Sequence, residues 1–120
     1  MKYTNNRLIA FRNAYSGLIE AFKKESHFKL HVLALLIVLN VGFYFKLNTN
    51  EWLAIILCSA MVISLELINS AIEALCDLVM PEKHASIKYI KDVAAGAVLI
   101  SAIASIVVAY LVFWPHLFQH

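Results

Sequence analysis

Four polar side chains that carry oxygen, Glu66, Asn69, Glu73 and Asp77, recur at steps of three and four in the segment ELINSAIEALCD, residues 66–77. At about 100° per residue they project at roughly 0°, 300°, 340° and 20°, which is one narrow stripe of a helix. The stripe lies in the second half of an apolar stretch that runs from Trp52 to Met80. A charge at the centre of a bilayer costs at least about 2.5–3.5 kcal/mol on insertion scales. The stripe must therefore face protein, water or a cation. Carboxylates so placed can take a proton from a substrate, hold a hard divalent cation, or carry an ion; alternatively, they can glue helices together. The last use contributes only about 0.6 kcal/mol per contact on average, which argues for another.

The elements that position the stripe follow from composition. The chain has 120 residues, of which 62% are hydrophobic and 15% charged, with a mean hydropathy of +0.75. An ordinary soluble domain is roughly 45–50% apolar, so the chain reads as a membrane protein. A helix needs about 20 residues to cross the hydrocarbon core, and three segments suffice: residues 28–47, 52–79 and 93–114. Little chain is left over, so residues 1–120 form one domain. The fold class is all-α. Before the first span, Leu8, Phe11, Tyr15, Leu18 and Phe22 mark one face of a helix at about residues 6–27, amphipathic enough to lie in the membrane surface.

A net charge of +2 is too small to argue for nucleic acid. Its distribution is more informative. Lys2, Arg7, Arg12, Lys23, Lys24 and Lys29 stand at or before the start of the first span, and Lys83, Lys88 and Lys91 between the second and third. Only Lys46 occupies the other loop. The positive-inside rule then places the N-terminus and residues 80–92 in the cytoplasm and the C-terminus outside. No compact apolar core precedes the first span, so nothing reads as a cleaved signal. Asn48, Thr49 and Asn50 supply a tight turn with an N-cap. Trp52 and Trp114 read as external interface anchors. Cys58 and Cys76 are about 27 Å apart along one helix and cannot bridge.

With that orientation the stripe opens toward the cytoplasm only. Residues 52–65 bear no acid within the external half of the span, so a full conduit, as an ion or proton carrier would require, is not continued. A site where a cytoplasmic solute meets a lipid headgroup needs this arrangement. Glu25, at the junction of surface helix and first span, falls at the depth of Glu73. Two carboxylates at one level suit Mg²⁺, which takes one or two protein carboxylates plus phosphates and water. Lys91 and Asp92, at the mouth of the third span, add a positive charge for phosphate and another acceptor. There is no GxxxxGK[ST], and Gly17, Gly42 and Gly96 are the only glycines, so a nucleotide site would be built from side chains and metal. His27 and His31 read as interfacial polar residues, His116 and His120 as terminal, and Ser70 as helix packing.

The run ELINSAIEALCD, followed by His84 and KDVAAGAVLI at residues 91–100, resembles the small bacterial membrane lipid kinases, the family of prokaryotic diacylglycerol kinase and undecaprenol kinase. The resemblance covers nearly the whole chain. It implies a homotrimer in the bacterial cytoplasmic membrane that transfers the γ-phosphoryl of MgATP to a lipid hydroxyl. By matching positions, Glu66 would be the general base, Glu25 and Glu73 would hold Mg²⁺, and Asn69 and Asp77 would support the site. Lys91, Asp92, Glu82 and His84 would contact the nucleotide, with Arg7, Arg12 and Asn13 as further candidates on the surface helix. His31 stands where some members have a glutamate, and no role passes to it. KDVAAGAVLI and Pro115 look nearer the undecaprenol branch, Ser70 nearer the diacylglycerol branch, so both acceptors stand.

Overall fold

The structure, a computed structural model, describes residues 2–118 and the side chains of residues 6–118. His120 lies outside the described residues, as does the side chain of Lys2. Four helices follow in order: α1 (Lys2–Lys24), α2 (Ser26–Phe45), α3 (Thr49–Val79) and α4 (Ala85–Phe118). The last three are long and apolar enough to cross a membrane. The fold is all-α.

One residue separates α1 from α2. Glu25 donates its N–H to Ala21 O and accepts from Lys29 N–H, so the helical ladder runs up to it from both sides. Its own extended backbone (φ −103°, ψ 111°) turns the chain. The Phe22 ring meets Phe28 edge-on at 6.4 Å across the bend. The α1 helix thus ends three residues earlier than the hydrophobic spacing suggests. Leu8, Phe11 and Tyr15 remain well exposed on α1, an uncovered apolar face that suits contact with lipid.

The α2–α3 turn is closed by local chemistry. Lys46 takes the left-handed conformation (φ 55°, ψ 59°), and Leu47 N–H returns to Gly42 O at 3.3 Å. Asn48 then caps α3: its side chain accepts from Glu51 N–H at 2.9 Å, and the Glu51 carboxylate accepts from Asn48 N–H at 3.0 Å. This reciprocal capping box satisfies two backbone donors that the first helical turn would leave unpaired. Trp52, expected as an interface anchor, is half-buried and packs against Phe43 at 5.0 Å. A Cβ at Gly42 would lie 2.6 Å from the Trp52 ring, so glycine is what lets the indole in. Trp114 is exposed and stacked on Tyr110.

The most extensive packing is between α3 and α4, with α2 against α3 over a shorter stretch. Leu47, Ile55 and Val112 form a small buried cluster, flanked by Val38, Phe45, Trp52, Val108 and Phe113. Near the middle, small residues allow close approach. Ser105 Oγ donates to Ser101 O at 2.8 Å and lies 3.5 Å from Cys58 O on α3. The chain measures 56 × 45 × 21 Å. Helices with side chains are about 10–12 Å across, so the slab is about two helices thick.

α4 begins two turns before the apolar stretch at residue 93. Only residues 80–84 separate it from α3, a shorter link than the polar run from His84 to Lys91 suggests. The reason is local. His84 Nδ1 accepts from Ser86 N–H at 3.1 Å, and Lys88 N–H returns to His84 O. Lys88 then pairs with Asp92 one turn on, a spacing that supports helix. At the other end α4 continues through Pro115 to Phe118.

Candidate active site

At 31 residues, α3 carries the stripe from the interior to one end of the bundle. Glu66 is 6% exposed and Asn69 8%, whereas Glu73 and Asp77 are exposed. This gradient follows the packing of α2 and α4 on α3. Asn69 Nδ2 donates to Glu73 Oε1 at 3.2 Å, linking the two halves. Asn69 Oδ1 is buried without a hydrogen-bond partner. Buried polar atoms are nearly always paired, so this oxygen is an acceptor in need of a donor or cation.

The exposed end is tied to α4. Lys91 Nζ donates to Asp77 Oδ1 at 2.8 Å. Hydrogen bonding to Asp77 holds the Lys91 ammonium above its ordinary range, and Asp92 does the same for Lys88; both lysines precede the stretch that enters the apolar core. Asp77, Glu82, His84, Lys88, Lys91 and Asp92 border a cavity of about 570 Å³ between the end of α3 and the start of α4. All four residues expected to touch nucleotide are therefore brought together. The cavity combines cationic side chains with hydrogen-bond acceptors, the complement of a polyphosphate bearing a sugar and a base.

Other expected residues remain apart. Glu25 is half-buried, and its carboxylate makes no hydrogen bond or ion pair among the described residues. Nor do three His, Cys, Asp or Glu side chains converge as a metal cage there. Arg7, Arg12 and Asn13 are exposed on α1. None makes a side-chain hydrogen bond or ion pair among the described residues.

One contact is absent from the sequence reading. His31 Nε2, on α2, lies 3.4 Å from Glu66 Oε2. The two residues are 35 positions apart, and no local spacing connects them. A signal was nonetheless present: His31 is the single ionisable side chain between Lys29 and Tyr44, and an ionisable group inside a span is a functional candidate by default.

Comparison with known proteins follows the same outline. The family described as prokaryotic diacylglycerol kinase matches residues 12–113, a range that includes every candidate except Arg7. An undecaprenol kinase of Bacillus subtilis is 39% identical over 108 residues, covering 90% of this chain and 88% of the relative. A diacylglycerol kinase of Synechocystis sp. is 34% identical over 113 residues, covering 93% of this chain and 65% of the relative. A diacylglycerol kinase of Escherichia coli is 27% identical over 103 residues, covering 86% and 84%.

Proposed function

The chain belongs to the prokaryotic diacylglycerol kinase family and is a bacterial membrane lipid kinase that uses ATP, and from that premise we propose that it transfers the γ-phosphoryl of MgATP to the hydroxyl of undecaprenol. The acceptor is chosen on the 39% identity to an undecaprenol kinase. Diacylglycerol is the second reading, supported by the names of the Synechocystis and E. coli relatives.

The observation that carries the mechanism is the continuity of the stripe, from buried Glu66 through Asn69 and Glu73 to the Asp77–Lys91 pair at the cavity. Phosphoryl transfer needs positioned phosphates, neutralised charge and a base near the acceptor hydroxyl. Lys91, Lys88 and His84 bind the nucleotide at the open end, and Glu82 and Asp92 accept from its sugar or base. Glu66, shielded from water, takes the proton of the lipid hydroxyl as its oxygen attacks the γ-phosphorus. ADP leaves with the bond electrons.

Oxygen donors fit Mg²⁺ at the middle of the stripe. Glu73 has an exposed carboxylate, and the unpartnered Asn69 Oδ1 lies one turn away. Glu25, apart from the stripe within one chain, would complete the set from a neighbouring subunit. When bound with ATP, the ion neutralises phosphate charge; a site with few protein ligands is what Mg²⁺ usually takes when phosphates supply the rest. Three spans in a slab 21 Å thick enclose little volume, which supports a homotrimer whose subunits complete one another's sites. The lysine-rich ends support a cytoplasmic N-terminus and cavity.

The test is phosphate transfer from labelled MgATP by the purified protein in mixed micelles, with undecaprenol and diacylglycerol offered in parallel and Glu66→Gln as control. Product on undecaprenol that disappears in the control is expected. General base catalysis contributes about 10²–10⁴-fold, so a Glu66→Gln protein within a fewfold of wild-type rate would overturn the assignment of the base. Product on diacylglycerol alone would select the second reading.

A further inference from the structure

We propose that His31 is a positioning residue for this reaction, its imidazole fixing the Glu66 carboxylate so that one oxygen is held and the other faces the lipid hydroxyl. The inference rests on the reading of Glu66 as the base.

Three observations converge on it. The contact itself joins α2 to α3, His31 Nε2 to Glu66 Oε2 at 3.4 Å. Glu66 is buried, and His31 is the one side chain that contacts its carboxylate with a polar atom among the described residues. A buried carboxylate is stable as an anion only when paired. Finally, His31 lines a groove of about 280 Å³ between α2, α3 and α4, together with Ser59, Val62, Ser105 and other small or apolar residues. It is the only ionisable residue on that lining. The imidazole therefore stands between an apolar groove open to lipid and the carboxylate that must meet the lipid's hydroxyl.

The chemistry follows from which atoms are engaged. In the structure the pair is in ionic contact rather than hydrogen-bonded; with the Nε2–H tautomer, a turn of the ring on closure of the substrate complex would let it donate to Oε2. Oε1 remains to accept the hydroxyl proton as the acceptor O–P bond forms and the bond from the γ-phosphorus to the bridging oxygen breaks. The proton ends on Glu66 Oε1 and the electron pair on ADP. His31 neither gains nor loses a proton in the step; it acts through the direction it imposes. At 3.4 Å the pair is looser than the roughly 2.7–2.9 Å of a closed charge-assisted hydrogen bond. Catalytic pairs commonly tighten in the substrate complex.

The experiment compares wild type with His31→Ala, His31→Gln and Glu66→Gln, full-length in mixed micelles with undecaprenol and diacylglycerol, measuring kcat and the KM for MgATP and for lipid. A misplacement of about 1 Å can cost about 100-fold in rate. His31→Ala is expected to lower kcat by about 10- to 100-fold with the MgATP KM unchanged, and His31→Gln, which keeps an N–H donor, to regain most of it. A His31→Ala protein with wild-type kcat and a raised lipid KM would overturn the proposal, making His31 a lining residue only. So would a loss that His31→Gln fails to recover while still binding a fluorescent ATP analogue at wild-type affinity. Inactive Glu66→Gln beside fully active His31→Ala removes this inference alone, whereas active Glu66→Gln removes the base and His31 with it.

Discussion

Replacing Asn69 by leucine separates a site built for chemistry from a polar contact that holds helices together. Asn69 is 8% exposed, and its Oδ1 has no partner. A buried acceptor left unsatisfied costs about 1–3 kcal/mol. The single bond the side chain makes, Nδ2 to the Glu73 carboxylate at 3.2 Å, contributes about 1.5–3 kcal/mol as a hydrogen bond to a charged group, and exposed Glu73 regains water when it is lost. Leucine has nearly the same volume and no polar atom. The two terms cancel to within about 2 kcal/mol, so Asn69→Leu should leave stability close to wild type. Were Asn69 helix glue, its loss would cost about 0.6 kcal/mol on average and leave the kinetics unchanged. The same substitution should lower kcat/KM for MgATP by at least about tenfold, the equivalent of about 1.4 kcal/mol and the low end for a hydrogen bond to a charged group. The assays are an SDS unfolding titration in micelles, followed by tryptophan fluorescence, and initial rates. A less stable protein with unchanged kinetics would refute the argument; stability kept and activity lost is the trade-off expected of a functional polar group.

Two further outcomes are expected. Glu73→Gln keeps the shape of the side chain and removes its charge, so the Mg²⁺ concentration for half-maximal rate should rise by at least about tenfold, the lower bound for losing even an outer partner of a metal site; an unchanged Mg²⁺ titration would remove Glu73 from the metal's ligands. Gly42→Ala places a Cβ 2.6 Å from the Trp52 ring, and overpacking of about 1–3 kcal/mol outweighs the helix-propensity gain of about 0.8–1.0 kcal/mol. Stability should fall with kcat unchanged, and adding Trp52→Phe should recover it; a stabilised Gly42→Ala protein would show that the indole moves aside freely.

The sequence made the helices and the stripe legible because both are periodic. Glu66, Asn69, Glu73 and Asp77 share a face by spacing alone, and their descent from buried to exposed along α3 follows from where the apolar run ends. Asn48 was legible as a cap from its residue type before a helical run. The start of α4 was not, because Lys88, Lys91 and Asp92 read as loop by polarity although the i,i+4 spacing of Lys88 and Asp92 suits a helix equally well. The packing of Trp52 on Phe43 was not legible for a related reason: an aromatic at a span's end suits an interface anchor whether or not it packs on a neighbour, and only the missing Cβ at Gly42 leaves room for the indole. His31 was visible as the single ionisable side chain between Lys29 and Tyr44, but its pairing with Glu66 was not. Its contact depends on how α2 lies against α3, which no repeat within either helix specifies.

Depth along α3 accounts for how a lipid kinase can work without a phosphate-binding loop. At about 1.5 Å per residue, Glu73 lies about 6 Å above Asp77 and Glu66 about 16 Å above it. A nucleotide whose base and sugar occupy the cavity at Asp77 and Lys91 would extend its phosphates along the stripe, past Glu73 and Asn69, toward Glu66. The lipid hydroxyl arrives from the opposite direction, because its chain cannot leave the apolar layer. In the proposed reaction one helix therefore orders nucleotide, metal and base by depth, and the bilayer itself limits where the acceptor can be. The arrangement requires that Glu66 be both buried and correctly turned, and burial alone does not supply the second condition. That is why the partner of Glu66 on α2, rather than another residue of the stripe, is the next group whose removal should slow phosphate transfer without weakening nucleotide binding.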